Sequence, residues 1–227
     1  MKVLWGSLAV DGSGKLGGHV YAKNRGGNYV RTKTKPLNPQ TLAQTSVRND
    51  FTANAQAWRG LTDAQRQTWA SAIASFPKKN SLGSSISLSG SNLFQRVNQN
   101  LRLVGATPLD TAPLPSAVTP ITSLSLAADS VAPSMSLTFA PSPVPANYKL
   151  VIEATPGQSA GRTFVKNKYR RIQIVAAAGT SPANILAAYT AKFGSPIAGT
   201  KVFVRAKMID TTNGFESQYI SAEAVVS

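Results

Sequence analysis

Prolines at 108, 113, 115 and 120 interrupt the chain near its middle, in the run from Gly105 to Pro120. A proline ring fixes φ and removes a backbone donor, so neither a helix interior nor a central strand tolerates such spacing. The run reads as an extended linker, and it separates two stretches of different periodicity. Each stretch must then build its own core, and 227 residues suffice for two small domains. The expected division is a basic β-ribbon or arm over 1–37, a helical region over 38–104, a linker over 105–120 and a β-domain over 121–227. A fragment of residues 121–227 is expected to fold alone.

After the linker, residues 121–128, 134–140, 148–154, 170–176, 200–209 and 217–226 are alternating or β-branched runs. Turn residues separate them, including Pro141 to Pro145 and Asn213-Gly214. This spacing predicts a sandwich. One helix interrupts it, with Pro182 near its start and Ile185, Leu186, Tyr189 and Phe193 facing inward. Tyr148 to Ala154, and the pair Thr200–Ile209 and Glu216–Ser221, resemble the central strand and last hairpin of a fibronectin type III or immunoglobulin-like domain. The fold class is therefore an α+β N-terminal region, a ribbon plus three helices, followed by an all-β sandwich with one inserted helix.

Before the linker the signals are helical. Asn38 is a candidate N-cap, with Pro39 at the first helical position. Val47, Phe51, Ala55 and Trp58 form one apolar face, and Gly60 a stop. Thr62-Asp-Ala-Gln65 has the form of a capping box. Trp69, Ala72, Ile73 and Phe76 face inward on a second helix that Pro77 ends. A polar loop from Lys78 to Gly90 leads to a third, with Leu93/Phe94, Val97, Leu101 and Val104 on its buried side. Trp58 and Trp69 are expected in a core with Phe51, Ile73 and Phe76.

The N-terminal 35 residues read as strands over 3–10, 16–22 and 28–34, with turns at Asp11–Gly14 and Asn24–Gly27. From Lys15 to Lys35 the sequence carries Lys15, Lys23, Arg25, Arg31, Lys33 and Lys35, with Tyr21 and Tyr29 interleaved and no carboxylate. Residues 1–110 hold 14 Lys+Arg against 4 Asp, and residues 111–227 hold 10 against 5 Asp+Glu, which together give the formal net charge of +15. Like charge without local neutralisation repels itself, so it lies in water or meets an anionic partner. The paired glycines 17–18 and 26–27 and the tyrosines favour a contact surface. These eight residues are the candidate partner-binding set. They could grip phosphates without reading bases, or lie along an acidic protein groove.

No catalytic, metal-binding or cofactor-binding residues emerge. His19 is the sole histidine, the nine carboxylates are scattered, and cysteine is absent, which excludes thiolate chemistry and disulfides. Asp11-Gly-Ser-Gly-Lys15 lacks the spacing of a phosphate loop and precedes a strand. The apolar N-terminal run breaks too early for a signal peptide, and no run is long enough for a bilayer span. The expectation is a protein that is not an enzyme, with no small-molecule substrate and no membrane partner.

Gly17-Gly-His-Val-Tyr21, Gly26-Gly-Asn-Tyr-Val-Arg31, Pro36-Leu-Asn-Pro-Gln-Thr41, Leu61-Thr-Asp-Ala-Gln-Arg66, Trp69, Asn92-Leu-Phe94 and Asn98-Gln-Asn100 together resemble a family of tailed-bacteriophage and prophage proteins. The resemblance implies a non-enzymatic virion structural protein: a capsid decoration, head–tail connector or tail component. It would be assembled in the host cytoplasm, in many copies, on other virion proteins. The alternative is a nucleic-acid-binding or packaging protein that uses the same basic arm, and a third reading is a host-surface adhesin.

Overall fold

The computed structural model describes residues 2–4, 12–80, 82–86 and 88–227. The strand expected over 3–10 lies almost wholly outside these residues. The chain divides into two compact units. The first is Met1–Gln99 with Leu109–Pro115, and the second is Asn100–Pro108 with Ser116–Ser227.

The first unit begins with a three-stranded antiparallel sheet, β1 (Gly14–Leu16), β2 (His19–Asn24) and β3 (Gly27–Thr32). The turn between β1 and β2 falls on Gly17-Gly18, inside the strand expected over 16–22. Gly17 has φ +54°, a backbone that side chains disfavour, so the glycine pair folds the ribbon back there.

Helix α1 (Leu42–Gly60) starts three residues later than Asn38-Pro39 suggests. Thr41 is its cap, its hydroxyl accepting from the Gln44 amide at 3.4 Å. Helix α2 (Asp63–Ala72) has the expected capping box, with Thr62 and Gln65 each accepting the other's backbone N–H. A single 3-10 turn, Ile73–Ser75, follows α2, and the polar loop after it holds a short hairpin, β4 (Lys78–Lys79) and β5 (Ser85–Ile86). Helix α3 (Gly90–Leu103) buries Leu93, Phe94, Val97 and Leu101, as its spacing demands, and Val104 just after it is buried too. A Cβ on Gly90 would lie 3.1 Å from the Ala70 amide nitrogen, so the start of α3 comes close to the α2 backbone.

The aromatic core differs from the expected one. Trp69 is fully buried, but its partner is Phe94, edge-on at 5.2 Å between centroids. Trp58 is half-buried against the same ring at 5.3 Å. Phe51 is 57% exposed, and Ile73 and Phe76 are only half-buried. The physical reason is length: the N-terminal half of α1 extends past anything in its unit that covers it, and every residue from Leu42 to Asn49 is exposed.

The proline-rich run is not a free linker. Leu109 exchanges two hydrogen bonds with the buried side chain of Asn98, at 2.8 and 3.0 Å. Trp69 Nε1 donates to the Asp110 carbonyl at 2.8 Å, and Thr68 Oγ1 accepts from the Ala112 amide at 3.0 Å. Proline leaves carbonyls and neighbouring amides without strand partners, and here side chains of α2 and α3 take them up.

The second unit holds two antiparallel sheets. One is β6 (Ser123–Asp129), β7 (Ser134–Ala140) and β11 (Ala183–Asn184), in the order β11-β7-β6. The other is β8 (Tyr148–Ala154), β9 (Gln158–Ser159), β10 (Arg170–Val175), β12 (Thr200–Asp210) and β13 (Ile220–Val225). Its order is β10-β8-β12-β13, with β9 also on β12. These strands fall close to the runs read from the sequence. Met135, Leu137 and Phe139 of the first sheet share one core with Leu150, Ile152, Val202, Val204 and Met208 of the second. Helix α4 (Leu186–Phe193) adds Tyr189, and Ile185 before it is fully buried. Alternation places the opposite residues of β8 and β12 on the outer face. There Val151 and Ile209 are buried too, because Val104 covers them with Leu103 and Ala106 beside it.

Residues 100–108 therefore belong to the β-unit. Lys149 Nζ donates to the Val104 carbonyl at 2.6 Å, and Asn100 Nδ2 to the Gly214 carbonyl at 2.9 Å. A fragment starting at residue 116 is expected to be less stable than one starting at 100 by about 2–4 kcal/mol, from one uncovered apolar patch and two lost hydrogen bonds. Chemical unfolding of both fragments checks this, and equal midpoints would contradict it.

Candidate partner-binding surface

Register decides which candidate residues act together. Directly opposed residues in an antiparallel pair share a face. Lys15 opposes Val20, Val20 opposes Arg31, and Ala22 opposes Tyr29. One face of the ribbon therefore carries Lys15, Tyr29 and Arg31. The other carries His19, Tyr21 and Lys23, since Tyr21 opposes Val30 and Lys23 opposes Asn28. Arg25 sits in the turn between β2 and β3. Lys33 and Lys35 lie just beyond β3, in a segment exposed throughout from Arg31 to Gln40. The eight residues thus form two faces and two ends, not one patch.

Tyr29 is engaged within the unit. Lys2 bridges to it across the far edge of β3, its Nζ 5.7 Å from the ring centroid and bonded to the Gly26 carbonyl at 2.6 Å. Lys2 was not among the residues singled out from the sequence, because nothing local marks a lysine near the start as a strand neighbour of residue 29.

Burial is the more telling property. Among the described residues, none before Asn54 is buried. The ribbon's apolar residues Val20, Tyr21, Tyr29 and Val30 are only half-buried, and Leu16 is 70% exposed. A small sheet gains independent stability from an apolar face packed on something, and this one covers neither face fully. Farther along the unit, Phe51, Ala55, Trp58 and Leu88 line an open groove of about 580 Å³ with Arg59 and Arg96 at its side. No carboxylate is among its described lining residues.

The second unit treats charge differently. On the outer face of its larger sheet, Arg205 lies between the rings of Tyr169 and Tyr219, at 4.3 and 4.2 Å. Its Nε and Nη2 reach Glu153 Oε2 at 2.7 and 2.6 Å. Lys207 pairs with Glu216 at 2.6 Å and Lys201 with Glu223 at 2.5 Å. Burial works against the charge on Lys207, but the hydrogen bond and charge of Glu216 outweigh it and raise its pKa. Burial raises Tyr169 and Tyr219 as well, with the nearby cations opposing. This network neutralises itself. Among the described residues no cluster of three His, Asp or Glu is placed to hold a metal, and no helix is long and apolar enough to cross a membrane.

No family model matches the chain, and no curated protein matches it. A solved structure of a Fn3-like protein from Clostridium thermocellum is similar at 20% identity and a TM-score of 0.30, over 49% of this chain and 96% of that one.

Proposed function

We propose that this chain is a non-enzymatic structural protein of a larger assembly, docked through its first unit. The observation that carries this is the absence of any buried residue before Asn54 among those described, combined with a run from Lys15 to Lys35 that holds six cations and no carboxylate in sequence. A ribbon that cannot bury a face alone completes itself on a partner, and the partner is acidic. The tailed-phage resemblance makes that assembly a virion and the partners other virion proteins, present in many copies so that modest contacts add up. The two sheets of the second unit then act as a fibronectin III- or immunoglobulin-like sandwich, with Lys201, Arg205 and Lys207 on its outer face already paired to carboxylates. The competing reading, a packaging protein that grips nucleic acid, uses the same cations but needs no acidic protein surface.

Hydrogen exchange on the free protein tests the premise. Amides of β1–β3 are expected to exchange at least roughly a hundredfold faster, relative to intrinsic rates, than those of β8 and β12, since exposed elements open at low cost. Protection of the ribbon equal to that of β12 would mean that it is stable alone and needs no partner.

A further inference from the structure

The segment from Ala160 to Arg171, a loop that runs into the first residues of β10, is a second basic feature, in the unit whose outer sheet face pairs Lys201, Arg205 and Lys207 with carboxylates. It contains Arg162, Lys166, Lys168, Arg170 and Arg171 and no carboxylate, half of the ten cations after residue 110. Two of the five are accounted for locally. Arg170 Nη1 donates to the carbonyls of Tyr169 and Asn167, at 2.9 and 3.1 Å, and Arg171 stands opposite Glu153 in the β8–β10 register. Arg162 and Lys168 are different. Arg162 Nη1 and Lys168 Nζ both donate to one neutral atom, Gln158 Oε1, at 2.6 and 2.7 Å.

Gln158 is 7% exposed, and its orientation is fixed. Its Nε2 donates to the carbonyls of Pro156 and Gly157, at 2.7 and 3.1 Å, so its oxygen must point at the two cations. The backbone is anchored on both sides. Gln158 pairs with Lys201 in β12, and Val165 in mid-loop is buried. Lys201 brings a third cation to the same register position, itself bound to Glu223. The fold thus brings like charges together on an uncharged oxygen, which a solvated loop has no reason to do. An anion bound between them removes the repulsion.

We propose that this loop is a phosphate-binding site, with Arg162 and Lys168 as its two arms and Gln158 as the post that holds them. A guanidinium fork beside a compact ammonium suits a tetrahedral oxyanion with several acceptor oxygens and more than one negative charge. Phe164, 72% exposed within the same loop, offers an apolar contact to whatever carries the phosphate. This site is independent of the docking ribbon and does not rest on the assembly reading.

The test is a titration of the full chain with inorganic pyrophosphate, followed by amide chemical shifts at constant ionic strength. Saturating shifts centred on residues 158–171 are expected. The variant Arg162→Gln/Lys168→Gln should weaken binding by about tenfold or more. Lys192→Gln, on α4, should leave it unchanged. The melting temperature of each variant shows whether it has kept its fold. Oligothymidylate and phosphatidylglycerol vesicles then serve as competitors. Competition by one of them supports the site and identifies the carrier of the phosphate. Competition by neither supports a free phosphate ligand. Shifts that never saturate, that spread over all basic residues, or that persist in the double variant would overturn the proposal.

Discussion

Replacing Trp69 by alanine is expected to destabilise the first unit by about 3–5 kcal/mol, the range for emptying a well-packed aromatic site. Trp69 is fully buried, stands edge-on to Phe94 and holds the proline-rich return segment through Asp110. Its loss would open a cavity and remove one of the side-chain bonds that hold Leu109–Pro115, leaving those of Asn98 and Thr68. Trp69→Phe separates the two effects, since it keeps most of the packing and loses the indole N–H bond, worth about 1 kcal/mol. Urea unfolding followed by helical circular dichroism reads the result. A cost below roughly 1 kcal/mol for the alanine variant would mean that the site collapses around the gap and that the core lies elsewhere.

The second large effect concerns association. Changing Arg25, Arg31, Lys33 and Lys35 together to Ser or Gln removes exposed cations from the turn, one face and the end of the ribbon. Exposed sites of this kind affect stability by about 0.5 kcal/mol or less each, so the second unit should melt as before. Incorporation into particles should fall to background. Wild-type protein should bind free DNA weakly and without sequence preference. A steep salt dependence that flattens by about 0.9 in log–log slope for each lost phosphate contact would instead support packaging. As a single change, Lys15→Gln, which shares a face with Arg31, should lower incorporation more than Lys23→Gln, which does not.

The parts most legible in sequence were those where one local signal dominates. The capping box at Thr62, the α3 stripe and the strands at 134–140 and 148–154 follow from spacing alone. The linker reading of 105–120 did not survive, because proline punctuation reports the absence of regular structure and says nothing of packing. Asn98 and Trp69, distant in sequence, are what hold that run. The Trp58–Phe51 pairing was an inference from helical spacing, and it could not reveal that α3 would supply Phe94 instead. For the candidate surface, composition located the cations. Only register could sort Lys15, Tyr29 and Arg31 from Tyr21 and Lys23. The meeting of Arg162 and Lys168 on Gln158 depends on a turn and a short strand that no periodicity marks.

In the proposed assembly the ribbon and the start of α1 are completed by protein. Hydrogen exchange of residues 12–53 in particles purified from producing cells, compared with the free chain, tests it most directly. Protection is expected to rise in the particles by on the order of tenfold or more across β1–β3 and the first turns of α1. That protection should survive digestion of the nucleic acid. Exchange unchanged between free and assembled protein, or protection that disappears with nuclease, would contradict it.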